Sequence, residues 1–139
     1  MASIRKEILI DARPGDVWDA LRDFGAVHER LARGFVTDTQ LDGNERIVTF
    51  DDGTEAREHL VGVDDEARRL AYAIVESPRG IVHYNGSAQV LPDGESGTRF
   101  VWIIDVLPDD FAGFIDGRME RGAEAIMRTL ESSPALDRS

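Results

Sequence analysis

Apolar and polar positions alternate at the start of the chain. Ile4, Ile8 and Ile10 share one face of an extended segment and Arg5, Glu7 and Asp11 share the other, which is the period of a half-buried strand. Lys6 interrupts the apolar face. The pattern then turns helical: Pro14 suits a first helical turn, Asp16 and Asp19 complement the positive end of the helix dipole, and Val17, Trp18 and Leu21 recur at helical spacing. A short helix is predicted there, and a second over 26–33 with Val27 and Leu31 inward and Gly34 as its stop.

From Phe35 to Leu107 the punctuation is that of a meander. Turn-forming clusters at 42–44, 51–53, 64–66, 77–80 and 92–94 separate short runs rich in Val, Ile, Thr and aromatics. Six strands fit between them, over 35–41, 45–50, 55–63, 69–76, 81–91 and 98–107. After Pro108, the stripe Phe111, Ile115, Met119, Ala123, Ile126 and Leu130 predicts one long helix over 109–131, followed by a frayed tail at 132–139. Gly117 and Gly122 are its weak points, each costing about 1 kcal/mol relative to Ala.

The order is strand, two short helices, six strands, one long helix. Nothing repeats, no linker divides the chain, and no βαβ spacing suggests a parallel sheet, so residues 1–139 are expected to form one α+β domain. Its sheet should be a curved, seven-stranded antiparallel one around the C-terminal helix. A straight helix touches a curled sheet along a line, and the remaining volume is either filled by large side chains or left as a pocket.

Composition narrows the function classes. The formal charge is −11, with the acidic residues spread along the chain, and such a surface repels nucleic acid and anionic lipid. The chain has no Cys, which excludes disulfides and thiolate chemistry. The first residues contain no apolar run long enough for a signal peptide or a membrane span, so a cytoplasmic protein without membrane insertion is expected. His28, His59 and His83 have no ligand-type spacing, and no phosphate-cradling glycine motif or nucleophile elbow is present. No metal or cofactor is expected.

Period-two alternation also selects the side chains that face the concave side. Ala56, Glu58 and Leu60 form one such row, and a buried carboxylate there must find a partner, reach water or take up a proton. Glu58 is therefore the candidate catalytic or ligand-binding carboxylate, with a structural Glu tied to backbone or to an Arg as the alternative. Leu70, Tyr72 and Ile74 form the next row. Val82, Tyr84, Gly86, Ala88 and Val90 follow, with the small Gly86 and Ala88 expected to leave room beside Tyr84. Phe100, Trp102, Ile104 and Val106 make the last row. Tyr72, Tyr84, Phe100, Trp102 and, from the helix, Met119 are the candidate ligand-binding residues, against the alternative of plain core packing.

In order and spacing, the segment from Ala12 to Phe24, then Glu58-His59-Leu60, Tyr84 with Pro92 eight residues on, and Gly97-Thr98 leading to Trp102 resemble the START-like or SRPBCC superfamily. This is the helix-grip, birch-pollen-allergen fold, and the likeness is to its polyketide cyclase/dehydrase-like branch. The same segments are similar to the plant abscisic-acid receptors, whose pocket Glu and Tyr match Glu58 and Tyr84. Where those receptors carry a proline-containing gate and a latch, this chain has Phe50-Asp51-Asp52-Gly53-Thr54 and Ser77-Pro78-Arg79-Gly80. The resemblance implies a cavity for a small hydrophobic or amphipathic molecule and, in some members, cyclisation or dehydration of a polyketide. Three classes follow: a binding module, an enzyme using Glu58 or a tyrosine for proton transfer, and an acidic adaptor for another protein that needs no cavity.

Overall fold

The computed structural model describes residues 1–76 and 80–132; residues 77–79 of the turn expected at 77–80 and residues 133–139 of the expected tail lie outside the described residues. Strand β1 (Ala2–Ile10) leads into helix α1 (Pro14–Arg22) and a single π-helical turn (Val27–Leu31). Six strands follow: β2 (Val36–Asp42), β3 (Glu45–Phe50), β4 (Glu55–Asp64), β5 (Arg69–Glu76), β6 (His83–Asp93) and β7 (Gly97–Leu107). A 3₁₀ turn (Asp109–Phe111) then opens the long helix α2 (Ala112–Ser132).

The seven strands form one sheet in the order β1-β7-β6-β5-β4-β3-β2, and every pairing is antiparallel. Only β1 departs from a simple meander: it pairs with β7, Ile4 opposite Ile104 and Ile8 opposite Phe100. The chain then crosses through α1 and the π turn to the far edge at β2. Register shifts bend the ladder between β2 and β3 at Val36/Asp38, and between β4 and β5 at Arg57/Glu58 and Leu60/Gly62. An extra residue on one strand increases its local bend and twist. The curled sheet thus acquires a concave face, against which α2 lies.

The inward rows supply the core. Phe100, Leu70, Ile104, Met119, Val17, Val90, Val106 and Thr98 are its most completely buried side chains. Thr98 is buried without cost because its hydroxyl donates to the Ala12 carbonyl at 2.7 Å. Lys6 stays on the concave side of β1, where its ammonium reaches Asp116 at 2.7 Å and also Glu120 on α2. The polar break in the first strand is therefore a clamp between sheet edge and helix.

The elements differ in detail from the sequence expectations. The second short helix is one π turn. The first turn of the expected C-terminal helix is 3₁₀, so Phe111 precedes α2, and α2 extends through Ser132 at the expected start of the tail. Helix α2 continues unbroken through Gly117 and Gly122, and its buried face is Ile115, Met119, Gly122, Ala125, Ile126, Thr129 and Leu130. Val82, expected inward, precedes β6 and is 77% exposed. No helix among the described residues is long and apolar enough to cross a membrane.

Candidate functional site

Between the concave face and α2 lies a cavity with an empty volume of about 730 Å³, mouth included. Its walls are mostly apolar. Tyr72, Tyr84, Phe100 and Trp102 come from the sheet, Ile115, Met119 and Ile126 from α2, and Leu31 from the π turn. Each candidate ligand-binding residue named from the sequence, Glu58 included, borders this space.

Two glycines position the aromatic wall. Gly86 stands opposite Tyr72 in the β5–β6 ladder, and a Cβ there would lie 2.5 Å from Tyr72 Cζ. The room expected beside Tyr84 is therefore taken by the Tyr72 ring, not left to the cavity. On α2, a Cβ on Gly122 would meet Trp102 at 3.0 Å and Phe35 at 3.3 Å, so the indole rests against bare helix backbone. The two rings placed in this way are joined: Trp102 Nε1 donates to Tyr72 Oη at 3.0 Å. The Tyr84 ring lies beside that of Tyr72, with the centroids 6.2 Å apart.

Burial, reinforced by the nearby charge of Glu58, pushes the Tyr72 phenol up to about 12. Burial also pushes Tyr84 well above the usual phenol value, and the neighbouring Tyr72 and Glu58 add to it. Both are neutral phenols at physiological pH, suited to hydrogen bonding rather than to accepting a proton.

Glu58 is 6% exposed and its partner is Arg46, equally buried and directly opposite on β3. Arg46 Nε donates to Glu58 Oε1 at 2.7 Å and its Nη1 donates to the Phe24 carbonyl at 3.2 Å. The guanidinium also packs on the rings of Phe24 at 4.0 Å and Tyr72 at 5.4 Å. A buried ion pair with additional hydrogen bonds and aromatic contacts offsets much of its desolvation cost. The alternative of a structural Glu tied to an Arg thus describes the contacts of Glu58, although its position on the cavity wall is retained.

Arg46 and Arg118 are charged cavity residues missed in the sequence. Arg46 alternates with Val48 and Phe50, both buried, so the same parity argument applied to β3 would have placed it inside. Arg118 lies three residues from Ile115 and four from Gly122, on the buried face of α2. Its guanidinium carbon sits 4.1 Å from the Phe50 ring centroid and 5.0 Å from that of Phe114. Trp18 does not border the cavity; its indole donates to Asp65 at 3.0 Å, tying α1 to the β4–β5 turn. His28, His59 and His83 lie on separate elements, and no group of three potential metal-ligating side chains converges among the described residues.

The model of a family described as polyketide cyclase / dehydrase and lipid transport matches residues 1–131. Among solved structures, the protein XoxI from Bacillus cereus is 21% identical with a TM-score of 0.84, covering 96% of this chain and 98% of that one. A START superfamily protein from Mycobacterium smegmatis is 11% identical with a TM-score of 0.78, covering 94% and 98%. Truncated norcoclaurine synthase from Thalictrum flavum is 22% identical with a TM-score of 0.68, covering 94% of each chain. At these identities the likeness is one of fold. Comparison with curated proteins finds no match.

Proposed function

Because the chain belongs to the polyketide cyclase/dehydrase and lipid-transport family, we propose that it is a binding protein: a carrier, sensor or sequestering module for a small hydrophobic or amphipathic molecule. The observation that carries this reading is an apolar cavity in which Glu58 and Tyr72 are already held by other side chains. Glu58 is held by Arg46, and Tyr72 by Trp102. Such a lining recognises shape and offers few hydrogen bonds, as ligand pockets commonly do.

The enzyme reading draws less support from the same residues. A general base must reach its proton with a free lone pair and a matched pKa. Arg46 already engages one oxygen of Glu58, and both tyrosines titrate far above neutrality. A filled concave face would favour the adaptor reading, and the cavity lends it no such support. The proposed occupant is one small molecule, within a cytoplasmic protein.

Native mass spectrometry of the purified protein tests the binding reading. The expected result is a co-purified apolar adduct that is lost on denaturation. Absence of an adduct, together with no binding of an apolar fluorophore at saturating concentration, would remove the proposal.

A further inference from the structure

Glu58 has two carboxylate oxygens, and the fold occupies one of them. Oε1 accepts from Arg46 Nε at 2.7 Å, whereas Oε2 accepts from no donor among the described residues. The side chain is 7% exposed, and Oε2 is not one of the polar atoms that packing seals off without a partner. The space that Glu58 borders is the cavity. A buried carboxylate oxygen with open lone pairs on an apolar wall is costly until a donor reaches it.

The backbone and the neighbouring side chains hold this arrangement. Arg46 stands directly opposite Glu58 in the β3–β4 ladder. On the other side of β4, Arg57 pairs with Glu76 and Glu58 with Ile74, so β5 carries one extra residue, Val75. A bulge of this kind re-aims the side chains beside it. The guanidinium is fixed in turn: Nη1 donates to the Phe24 carbonyl at 3.2 Å, and the group packs on the rings of Phe24 and Tyr72. With Arg46 tied in this way, the second oxygen of Glu58 stays open.

From this geometry we infer that the ligand is an apolar molecule with a neutral hydrogen-bond donor, an alcohol or phenol hydroxyl, which it gives to Glu58 Oε2. The inference rests on the binding reading above and adds the class of ligand. A hydroxyl costs far less to take out of water than an ion does, and its bond to a carboxylate is of the strong, charge-assisted kind. An ammonium ligand would meet Arg46 beside the acceptor it seeks, and a carboxylate would bring a second negative charge against Glu58. An ether of the same shape would gain the apolar contacts and leave Oε2 without a donor.

The test titrates small analogues against the apolar fluorophore N-phenyl-1-naphthylamine bound to the native protein. Decanol and its isomer 1-methoxynonane differ in whether the oxygen carries a proton, and decanoate and decylammonium present the charged alternatives. Decanol is expected to displace the fluorophore at a concentration about tenfold or more below that of 1-methoxynonane, the scale of a hydrogen bond to a charged group, and below that of either ion. This comparison needs no variant. In Glu58→Gln, with near-ultraviolet circular dichroism confirming the fold, the amide oxygen stays on Arg46 and an N–H takes the open position. Alcohol and ether can both accept from it, so the ratio of their affinities should collapse towards one. Equal displacement by decanol and 1-methoxynonane, a lower midpoint for either ion, or a preference for decanol that persists in Glu58→Gln would overturn the inference while leaving the binding reading intact. A fluorophore that does not bind, together with analogues that leave tryptophan emission unchanged, would remove the two together.

Discussion

Gly86 and Tyr72 face each other across the β5–β6 ladder, and the phenol ring occupies the space where a side chain at 86 would begin: a Cβ would lie 2.5 Å from Cζ and 2.7 Å from Oη. Gly86→Ala should therefore move the ring and break its bond to Trp102. Overpacking of this kind costs about 1–3 kcal/mol. A lowered urea midpoint accompanied by a shift in tryptophan emission is the expected outcome; unchanged emission would mean that the ring had not moved.

Arg46 and Glu58 should behave as a unit. Removing one partner leaves the other charged and buried, at a cost of about 3–5 kcal/mol, whereas replacing both with apolar residues can be close to neutral. Denaturant unfolding of Arg46→Met, Glu58→Leu and the double variant should show strong non-additivity. Additive losses would mean that the pair is not coupled. Glu58→Gln, which keeps an acceptor for Arg46, should retain the fold and alter ligand affinity; in an enzyme using Glu58 as acid or base it would instead lower turnover roughly 100-fold.

Trp102 should report ligand and Trp18 should not. Trp102 borders the cavity, while Trp18 is bonded to Asp65 outside it. An apolar probe should change tryptophan emission in the native protein, and Trp102→Phe should abolish most of that change. If the signal survives in Trp102→Phe and is lost in Trp18→Phe, the cavity is not the binding site.

The chain has two tyrosines, so absorbance at 295 nm reads Tyr72 and Tyr84 alone. Both phenols are raised in the folded state, Tyr72 from an unfolded value near 10 to about 12. Between these values the unfolded chain has released protons that the folded protein still holds, so stability falls as pH rises. The contribution is complete below pH 10 and is lost by about pH 12, on the order of 2–3 kcal/mol for Tyr72 from a shift of about two units. Phenolate absorbance should lag behind free tyrosine and rise together with loss of the near-ultraviolet dichroism signal. Ordinary titration near pH 10 in the folded protein would contradict the burial of both rings.

The sequence by itself determined the order of the elements, and with it the fold class, because period-two and helical patterns report which face of a segment avoids water. Parity alone puts Glu58, Tyr72, Tyr84, Phe100 and Trp102 on one side of the sheet, and all five border the cavity. It could not say what those side chains touch. Arg46 meets Glu58 because β3 and β4 pair in one particular register, and Tyr72 fills the space at Gly86 because β5 and β6 do the same. Val61 and Val75 lie at the ladder irregularities and remain exposed, although nothing in the alternation marks either position. Likewise, the spacing of Gly117 and Gly122 reads as two weak points in a helix, whereas Gly122 alone packs against an indole and Gly117 meets nothing within 4 Å. Periodicity is a property of one segment, but partners and cavity volume arise where several segments meet, and only the tertiary structure decides those distances.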